Sequence, residues 1–205
     1  MSDTSYHSRG KQKLKRGGIW YTPQSGIWQT VWAECIPKDC VRSLHITPDF
    51  DRACVNVRAD VVGESKAYAL FDGQQYPLPA SIPVPGFEPW SPENPKLYDF
   101  SVICGADRVE SYFAMRKFSV EADQNGVKRL FLNGKPYFHN GLLDQGYWSD
   151  GMYTAPSDEA LIFDIQTAKD MGFNMLRKHI KVEPLRWYYP VSYTHLRAHE
   201  TEADL

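Results

Sequence analysis

The chain has 205 residues and a formal net charge of −2, from 23 Lys and Arg against 25 Asp and Glu. This length suits one large or two small domains. The nearly equal numbers of basic and acidic residues give no sign of the basic surface with which proteins bind nucleic acid. No apolar run approaches the roughly 20 residues that a membrane helix needs. The sequence therefore predicts neither a nucleic-acid partner nor a membrane partner.

Targeting, metal and cofactor signals are weak throughout the chain. The N-terminus is polar and has no apolar signal core, so a cytoplasmic and a periplasmic location both stay open. The four cysteines, at positions 35, 40, 54 and 104, form no C-x-x-C pair, which disfavours a zinc or redox motif. We expect no metal and no cofactor.

The first predicted element is a strand at residues 26–34. Trp28, Thr30 and Trp32 would share one face, and period-two alternation of β-branched and aromatic residues is typical of a strand. Such tryptophans could stack on sugar rings, but alternating tryptophans on a strand more often pack a core. A lone strand has no sheet in which to bury them, so we expect partner strands elsewhere.

Short strands and turns fill residues 41–120. Residues 53–61 alternate cleanly, with polar side chains on one face and small apolar ones on the other. The predicted strands lie at residues 53–61, 67–71 and 97–104, and residues 109–120 predict one or two further strands. Asp72-Gly73 is a turn signal between strands, and this spacing predicts a β-sandwich near the size of an immunoglobulin-like domain.

The pattern changes after Asn125-Gly126, and Asn133-Gly134 predicts a hairpin-like turn. A strand is predicted near residues 138–143, and a helix follows with Ser157 as N-cap and Gly172 at its end. Residues 173–177 predict a second strand, and Pro184 stands in the first turn of a second helix. Strands that alternate with helices indicate a parallel sheet with helical crossovers, although a barrel would need eight strands.

Five stretches carry motifs, in one order along the chain. They are GIWYTPQSGIWQTVW (18–32), WSPENPKLY (90–98), AMRKF (114–118), LNGKP (132–136) and KDMGFNMLR (169–177). Together they resemble glycoside hydrolase family 2, the β-galactosidase and β-glucuronidase family. Ala114 replaces the glycine that is usual in that family's G-x-R-x-F junction.

The resemblance implies a mostly β fold with an α/β C-terminal part. It predicts a remnant of a jelly-roll sugar-binding domain at residues 1–38, an immunoglobulin-like β-sandwich at 39–120 and the truncated start of a TIM barrel at 121–190. Residues 191–205 resemble translated sequencing-adapter readthrough and are expected to be a non-native tail. The alternative for this tail is an ordinary helix from His195 to Leu205.

The resemblance also implies hydrolysis of terminal β-glycosidic bonds with retention, which needs two carboxylates roughly 5–5.5 Å apart. In the family both glutamates lie on later barrel strands, so we expect no catalytic residue here and no activity of the isolated chain. The implied partner is a carbohydrate, and the oligomeric state stays open. The alternatives are a non-catalytic β-sandwich module that binds carbohydrate or protein, and a small hydrolase that uses Asp144 and Glu183.

Four residues are candidates for substrate binding, because strand carboxyl ends face the active site of a TIM barrel. Arg177 would orient active-site carboxylates and His179 would contact sugar hydroxyls. The family's R-x-S-H stretch is here Arg177-Lys178-His179, without the serine and with the histidine one position nearer. Asp144 and Trp148 follow the first strand. The alternatives are that Arg177 and His179 form only a polar strand end and that Trp148 only packs within its loop.

Overall fold

The computed structural model describes residues 10–194 and 197–200, with residues 194 and 197–200 described by their backbone alone. Contacts divide these residues into two units. One is Ala33–Phe138, and the other combines the described residues up to Trp32 with those from His139 onward. Among the described residues, no helix has both the length and the apolar character that crossing a bilayer demands.

Two antiparallel sheets build most of the unit Ala33–Phe138. Their strands are β1 (Cys40–Asp49), β2 (Cys54–Val62), β3 (Ala67–Phe71), β4 (Gln74–Pro77), β5 (Ala80–Pro83), β6 (Tyr98–Cys104) and β7 (Asp107–Phe113). One sheet has the order β1-β2-β5 and the other β4-β3-β6-β7. Val55, Val57 and Ile82 from the first sheet meet Ala69, Val102 and other buried side chains of the second in one core.

Two turns predicted from sequence are confirmed by their backbone angles. Asp72 and Gly73, between β3 and β4, have φ of 48° and 73°, and Asn133 and Gly134 have φ of 53° and 76°. Positive φ at both central positions defines the type I′ turn, whose twist matches that of a hairpin. The predicted strands of the sandwich are likewise confirmed as β2, β3, β6 and β7.

A third sheet follows the sandwich and is fixed to it by three of the sequence motifs. It consists of β8 (Phe118–Ala122), β9 (Lys128–Leu132) and β10 (Lys135–Pro136), in the order β10-β9-β8. The Asn133 side chain accepts from the Lys117 backbone N–H and donates to the carbonyl oxygen of Trp90, both at 2.9 Å. The backbone N–H of Trp90 in turn donates to Met115 O. Hydrogen bonds among Trp90, Met115, Lys117 and Asn133 therefore attach the third sheet to the sandwich, and we call this group the Asn133 clasp.

The second unit contains a parallel sheet with two helices. Its elements are β11 (Gly141–Asp144), α1 (Asp158–Asp170), β12 (Met175–Lys178), α2 (Leu185–Thr194) and β13 (Arg197–Glu200). Ser157 caps α1 by accepting from the backbone N–H of Ala160. At the other end, the backbone N–H groups of Gly172 and Phe173 donate to the carbonyls of Lys169 and Ala168. This is a Schellman ending, in which Gly172 adopts φ of 87°.

Two sequence expectations are wrong in this unit. Residues 26–34 form no strand, and Val31 and Trp32 are exposed. A strand needs a neighbour to accept its hydrogen bonds, and no described strand pairs with this segment. The alternative of a C-terminal helix fails at Arg197–Glu200, which pairs in parallel with β12. The remainder of the predicted tail, at 195–196 and 201–205, lies outside the described residues, as do residues 1–9.

The Asn133 clasp leads to a stability prediction. Asn133→Ala removes two hydrogen bonds and places alanine at positive φ, so the unit Ala33–Phe138 should lose about 2–3 kcal/mol of unfolding free energy. Asn133→Gly should lose roughly 1 kcal/mol less, because glycine accepts this φ.

Urea unfolding followed by circular dichroism measures these losses. Asn125→Ala is the matched control, since this exposed hairpin residue binds Asp123 through its backbone N–H. The control should change the unfolding free energy by less than about 0.5 kcal/mol. Equal losses of unfolding free energy in Asn125→Ala and Asn133→Ala would contradict the stabilising role of the Asn133 clasp.

Candidate functional site

A cavity of about 470 Å³ lies in the unit that contains the parallel sheet. In parallel register, Leu142 pairs with Leu176 and Asp144 with Lys178, so these four side chains share one face of the sheet. That face packs against α1 and α2 through a core cluster that includes Leu161, Ile165, Leu176 and Trp187. The cavity therefore lies on the helix side of the sheet. Its polar end is formed by Asp144, Gln145, Tyr147, Lys178 and Glu183.

Lys178 is the centre of the polar end. Its side chain is 1% exposed, and its Nζ lies 2.9 Å from Asp144 Oδ2 and 2.5 Å from Glu183 Oε1. The Trp187 ring centre is 4.8 Å away. A buried ammonium is tolerated only when oppositely charged partners replace its hydration, and here two carboxylates do so.

Lys181 is the second buried lysine of the site. Its Nζ donates to the carbonyls of Gly146 and Tyr153, at 2.5 and 2.9 Å, and pairs with Glu183 Oε1 at 3.2 Å. Burial lowers the pKa of Lys181 from its ordinary value, and the Glu183 carboxylate acts in the opposite direction. Glu183 thus serves both lysines with one oxygen.

Gly146 makes this crowding possible. It has φ of 57°, and a Cβ there would lie 2.8 Å from the Nζ atoms of both Lys178 and Lys181, and closer still to Glu183 Oε1. Its backbone N–H also donates to Asp144 Oδ1 at 2.8 Å. A side chain at this position would force Glu183 or a lysine head group to move out of the charge network.

The sequence-predicted residues divide between the two sides of the sheet. Asp144 and Trp148 both line the cavity, although the Asp144 carboxylate is already paired with Lys178 and Trp148 packs against the helix cluster. Arg177 lies between the buried Leu176 and Lys178, and its side chain is exposed on the opposite face. The structure therefore brings Asp144 and Trp148 together and separates Arg177 from them.

His179 comes directly after β12 and is half-buried. Its backbone N–H donates to Asp144 O at 3.0 Å. Burial lowers the pKa of its imidazole, with smaller contributions from the charges of Lys11 and Arg177. His179 is thus biased towards the neutral form, which can both donate and accept hydrogen bonds.

Sequence reasoning missed the role of both lysines, and it named Glu183 only as a catalytic alternative. A signal for Lys178 was present, because neighbouring strand residues point to opposite faces. Of the pair Arg177-Lys178, one side chain must enter the layer that packs against the helices. No comparable signal marks Lys181, which lies in a loop and depends on contacts far away in sequence.

From the segment before Trp32, Tyr21 also lines the cavity. The rings of Tyr21 and Tyr147 stack at 4.1 Å with an interplanar angle of 11°, and the Tyr147 hydroxyl donates to Thr22 O. Burial is the main cause that raises the pKa of Tyr147, with a smaller contribution from Tyr21. Among residues 10–194, no group of three or more His, Cys, Asp and Glu is placed to hold a metal.

Comparison with characterised proteins finds β-galactosidases. One from Photobacterium profundum is 27% identical over an alignment of 219 positions, which covers 91% of this chain and 20% of that enzyme. One from Streptococcus thermophilus is 24% identical over 188 residues, which cover 80% of this chain and 18% of the enzyme. The chain thus spans about a fifth of the length of the curated relatives it matches.

Solved structures show the same relationship in the fold. Faecalibacterium prausnitzii β-glucuronidase superposes with a TM-score of 0.69 at 18% identity, over 79% of this chain and 28% of that one. A GH2 β-galacturonidase from Eisenbergiella tayi, bound to galacturonate, gives 0.68 at 18% identity, over 80% and 33%. No family model matches the sequence.

These matches relate the chain to glycoside hydrolases over most of its length. The Eisenbergiella tayi neighbour is a family 2 enzyme, and together with the β-galactosidase relatives it confirms the resemblance drawn from the five motifs. The mostly β fold with two helices is likewise shared with structures of that family.

Gly146→Ala should destabilise the α/β unit by about 3 kcal/mol or more, because it combines a left-handed backbone with overpacking against the charge network. Gly172→Ala is the matched control in the same unit. It also has positive φ, but a Cβ there meets nothing within 4 Å, so it should cost only about 1–2 kcal/mol. Thermal unfolding of both variants measures the difference in stability. Equal losses of stability would contradict the inference that a Cβ at position 146 disrupts the charge network.

Arg177→Met should raise the pKa of His179, because one of the positive charges that oppose protonation is removed. Lys11→Met should act in the same direction, since Lys11 is the larger of the two charge contributions. A pH titration of the His179 ring signals by NMR reports the pKa. An unchanged or lowered pKa of His179 would contradict the placement of Arg177.

Proposed function

We propose that this chain is part of a retaining hydrolase that cleaves terminal β-O-glycosidic bonds in carbohydrates, with a β-galactosidase-like activity. The observation that carries the proposal is the order of the five motifs, together with β-galactosidase relatives that align over 80–91% of the chain. Aromatic and polar side chains at the carboxyl ends of β11 and β12 support a carbohydrate-binding role, because barrel enzymes place their sites there.

The domain arrangement is part of the same proposal. The two-sheet sandwich is an immunoglobulin-like domain at about 39–120, and residues 121–190 begin a TIM barrel whose first two strands are β11 and β12. Residues 1–38 belong to a jelly-roll domain. Two parallel strands joined through α1 support the barrel assignment, since parallel neighbours need a crossover helix.

The chain by itself should be inactive. A retaining mechanism needs a protonated acid and a separate nucleophile roughly 5–5.5 Å apart. Three carboxyl groups, those of Asp144, Asp164 and Glu183, line the cavity. Asp144 and Glu183 are both ion-paired with Lys178, whose head group occupies the space between them. This pairing also argues against a small hydrolase built on Asp144 and Glu183.

Arg177 and His179 are the better substrate contacts among the four candidates. Arg177 is exposed on the face of β12 away from the helices, and in a closed barrel that face lines the interior. Asp144 would contribute indirectly, since its charge is paired and its backbone carbonyl holds His179. Trp148 would supply a wall at the cavity rather than a stacking platform in the barrel interior.

Turnover assays with chromogenic β-galactoside, β-glucuronide and β-mannoside test this proposal on the 205-residue chain. We expect no release of the chromophore above a heat-denatured sample. Turnover that Asp144→Asn abolishes would overturn the predicted inactivity. Asp150→Asn, in the same loop but exposed, is the matched control for that substitution.

A further inference from the structure

The loop at residues 146–153, between β11 and α1, has little regular structure of its own. Within it, Trp148 and Met152 form one isolated bridge, with a hydrogen bond of 2.7 Å from the Trp148 N–H to Met152 O. Other contacts must therefore fix its two ends. This loop carries Trp148 and Tyr147, two of the aromatic side chains that line the cavity.

One side chain hydrogen-bonds both ends of the loop, which also meet through the rings of Tyr147 and Tyr153, 5.7 Å apart. Lys181 Nζ donates to Gly146 O at 2.5 Å and to Tyr153 O at 2.9 Å. Its side chain is 2% exposed, so water cannot readily replace these bonds. One ammonium thereby closes a loop whose anchored carbonyls lie seven positions apart in the sequence.

The same ammonium reaches the N-terminal segment of the unit. It lies 5.1 Å from the ring centre of Trp28 and 5.2 Å from that of Tyr153, within the range of cation–π attraction. Thr154 Oγ1 donates to Trp28 O at 3.0 Å, which fastens the two segments beside the lysine. Three stretches that are far apart in sequence meet at Lys181.

The charge balance explains why a lysine can occupy this position. Glu183 Oε1 lies 3.2 Å from Lys181 Nζ, so the buried ammonium has a counter-ion as well as two carbonyl acceptors. A methionine would fill the same volume without donating a hydrogen bond. The contacts thus require the ammonium and not only its bulk.

We propose that Lys181 is a positioning residue that holds the 146–153 loop, and with it the Trp148 wall of the cavity, in one conformation beside the proposed carbohydrate site. The link to carbohydrate rests on the proposed function, whereas the control of the loop does not. Lys181 acts through Gly146 and Tyr153 and touches no reacting atom.

Hydrogen–deuterium exchange of the full chain tests the role of Lys181, with Lys181→Ala and Lys181→Met compared with the unsubstituted chain. Both variants should speed exchange in peptides that cover residues 146–153 by about tenfold or more, because the loop opens locally. Amides of α1 and of β6 should keep their protection, which shows that both units remain folded. Added n-propylammonium chloride should restore loop protection in Lys181→Ala but not in Lys181→Met, whose side chain fills the space.

Several outcomes would overturn the proposal. Unchanged loop exchange in Lys181→Ala, or full protection in Lys181→Met, would show that the donors are not needed. Equal loss of protection in α1 would make Lys181 a general core residue. Rescue by sodium chloride at the same ionic strength would assign the effect to screening.

A separate measurement decides the carbohydrate part. Saturation-transfer NMR with methyl β-D-galactopyranoside reports whether the unsubstituted chain contacts a sugar. Absence of transfer counts against the proposed sugar contacts, while the exchange data still decide the role of Lys181. Transfer that is lost in both variants supports the two proposals together.

Discussion

The carboxylate of Glu183 allows two lysine ammoniums to lie buried at the carboxyl ends of two parallel strands. Desolvating a charge costs several kcal/mol unless a partner compensates, and Glu183 Oε1 lies within 3.2 Å of both Lys178 and Lys181. Asp144 adds the second negative charge, so the group is balanced. The close approach depends on Gly146, whose missing side chain leaves room for all three charged groups.

This network joins elements that would otherwise be independent. Lys178 ends β12, Asp144 ends β11, and Lys181 with Glu183 lies in the connection from β12 to α2. Because successive strand residues alternate, fixing Lys178 on the helix side leaves Arg177 exposed on the opposite face. The charge network thus supports a strand end from which the proposed substrate contacts project, without occupying the surface that those contacts use.

Three of the five motifs that carry the family resemblance have structural roles in the sandwich unit. Trp90 is fully buried, and its backbone bonds Met115 and the Asn133 side chain. These residues come from three separate motifs, so their joint presence follows from one local requirement. Stretches that identify a family can therefore report how domains are built, while the chemistry depends on residues elsewhere.

The sequence by itself determined the elements whose signals are local. Alternation gave the sandwich strands, Asp72-Gly73 and Asn133-Gly134 gave the type I′ turns, and Ser157 with Gly172 gave the ends of α1. The strand expected at residues 26–34 failed because a strand also needs a neighbour, which no local pattern supplies. Only the tertiary structure decided that Asp144 forms an ion pair with Lys178 and that Lys181 hydrogen-bonds both ends of a loop far from it in sequence. Burial and charge pairing depend on which segments come into contact in the fold. The local spacing of residues in the sequence does not indicate those long-range contacts.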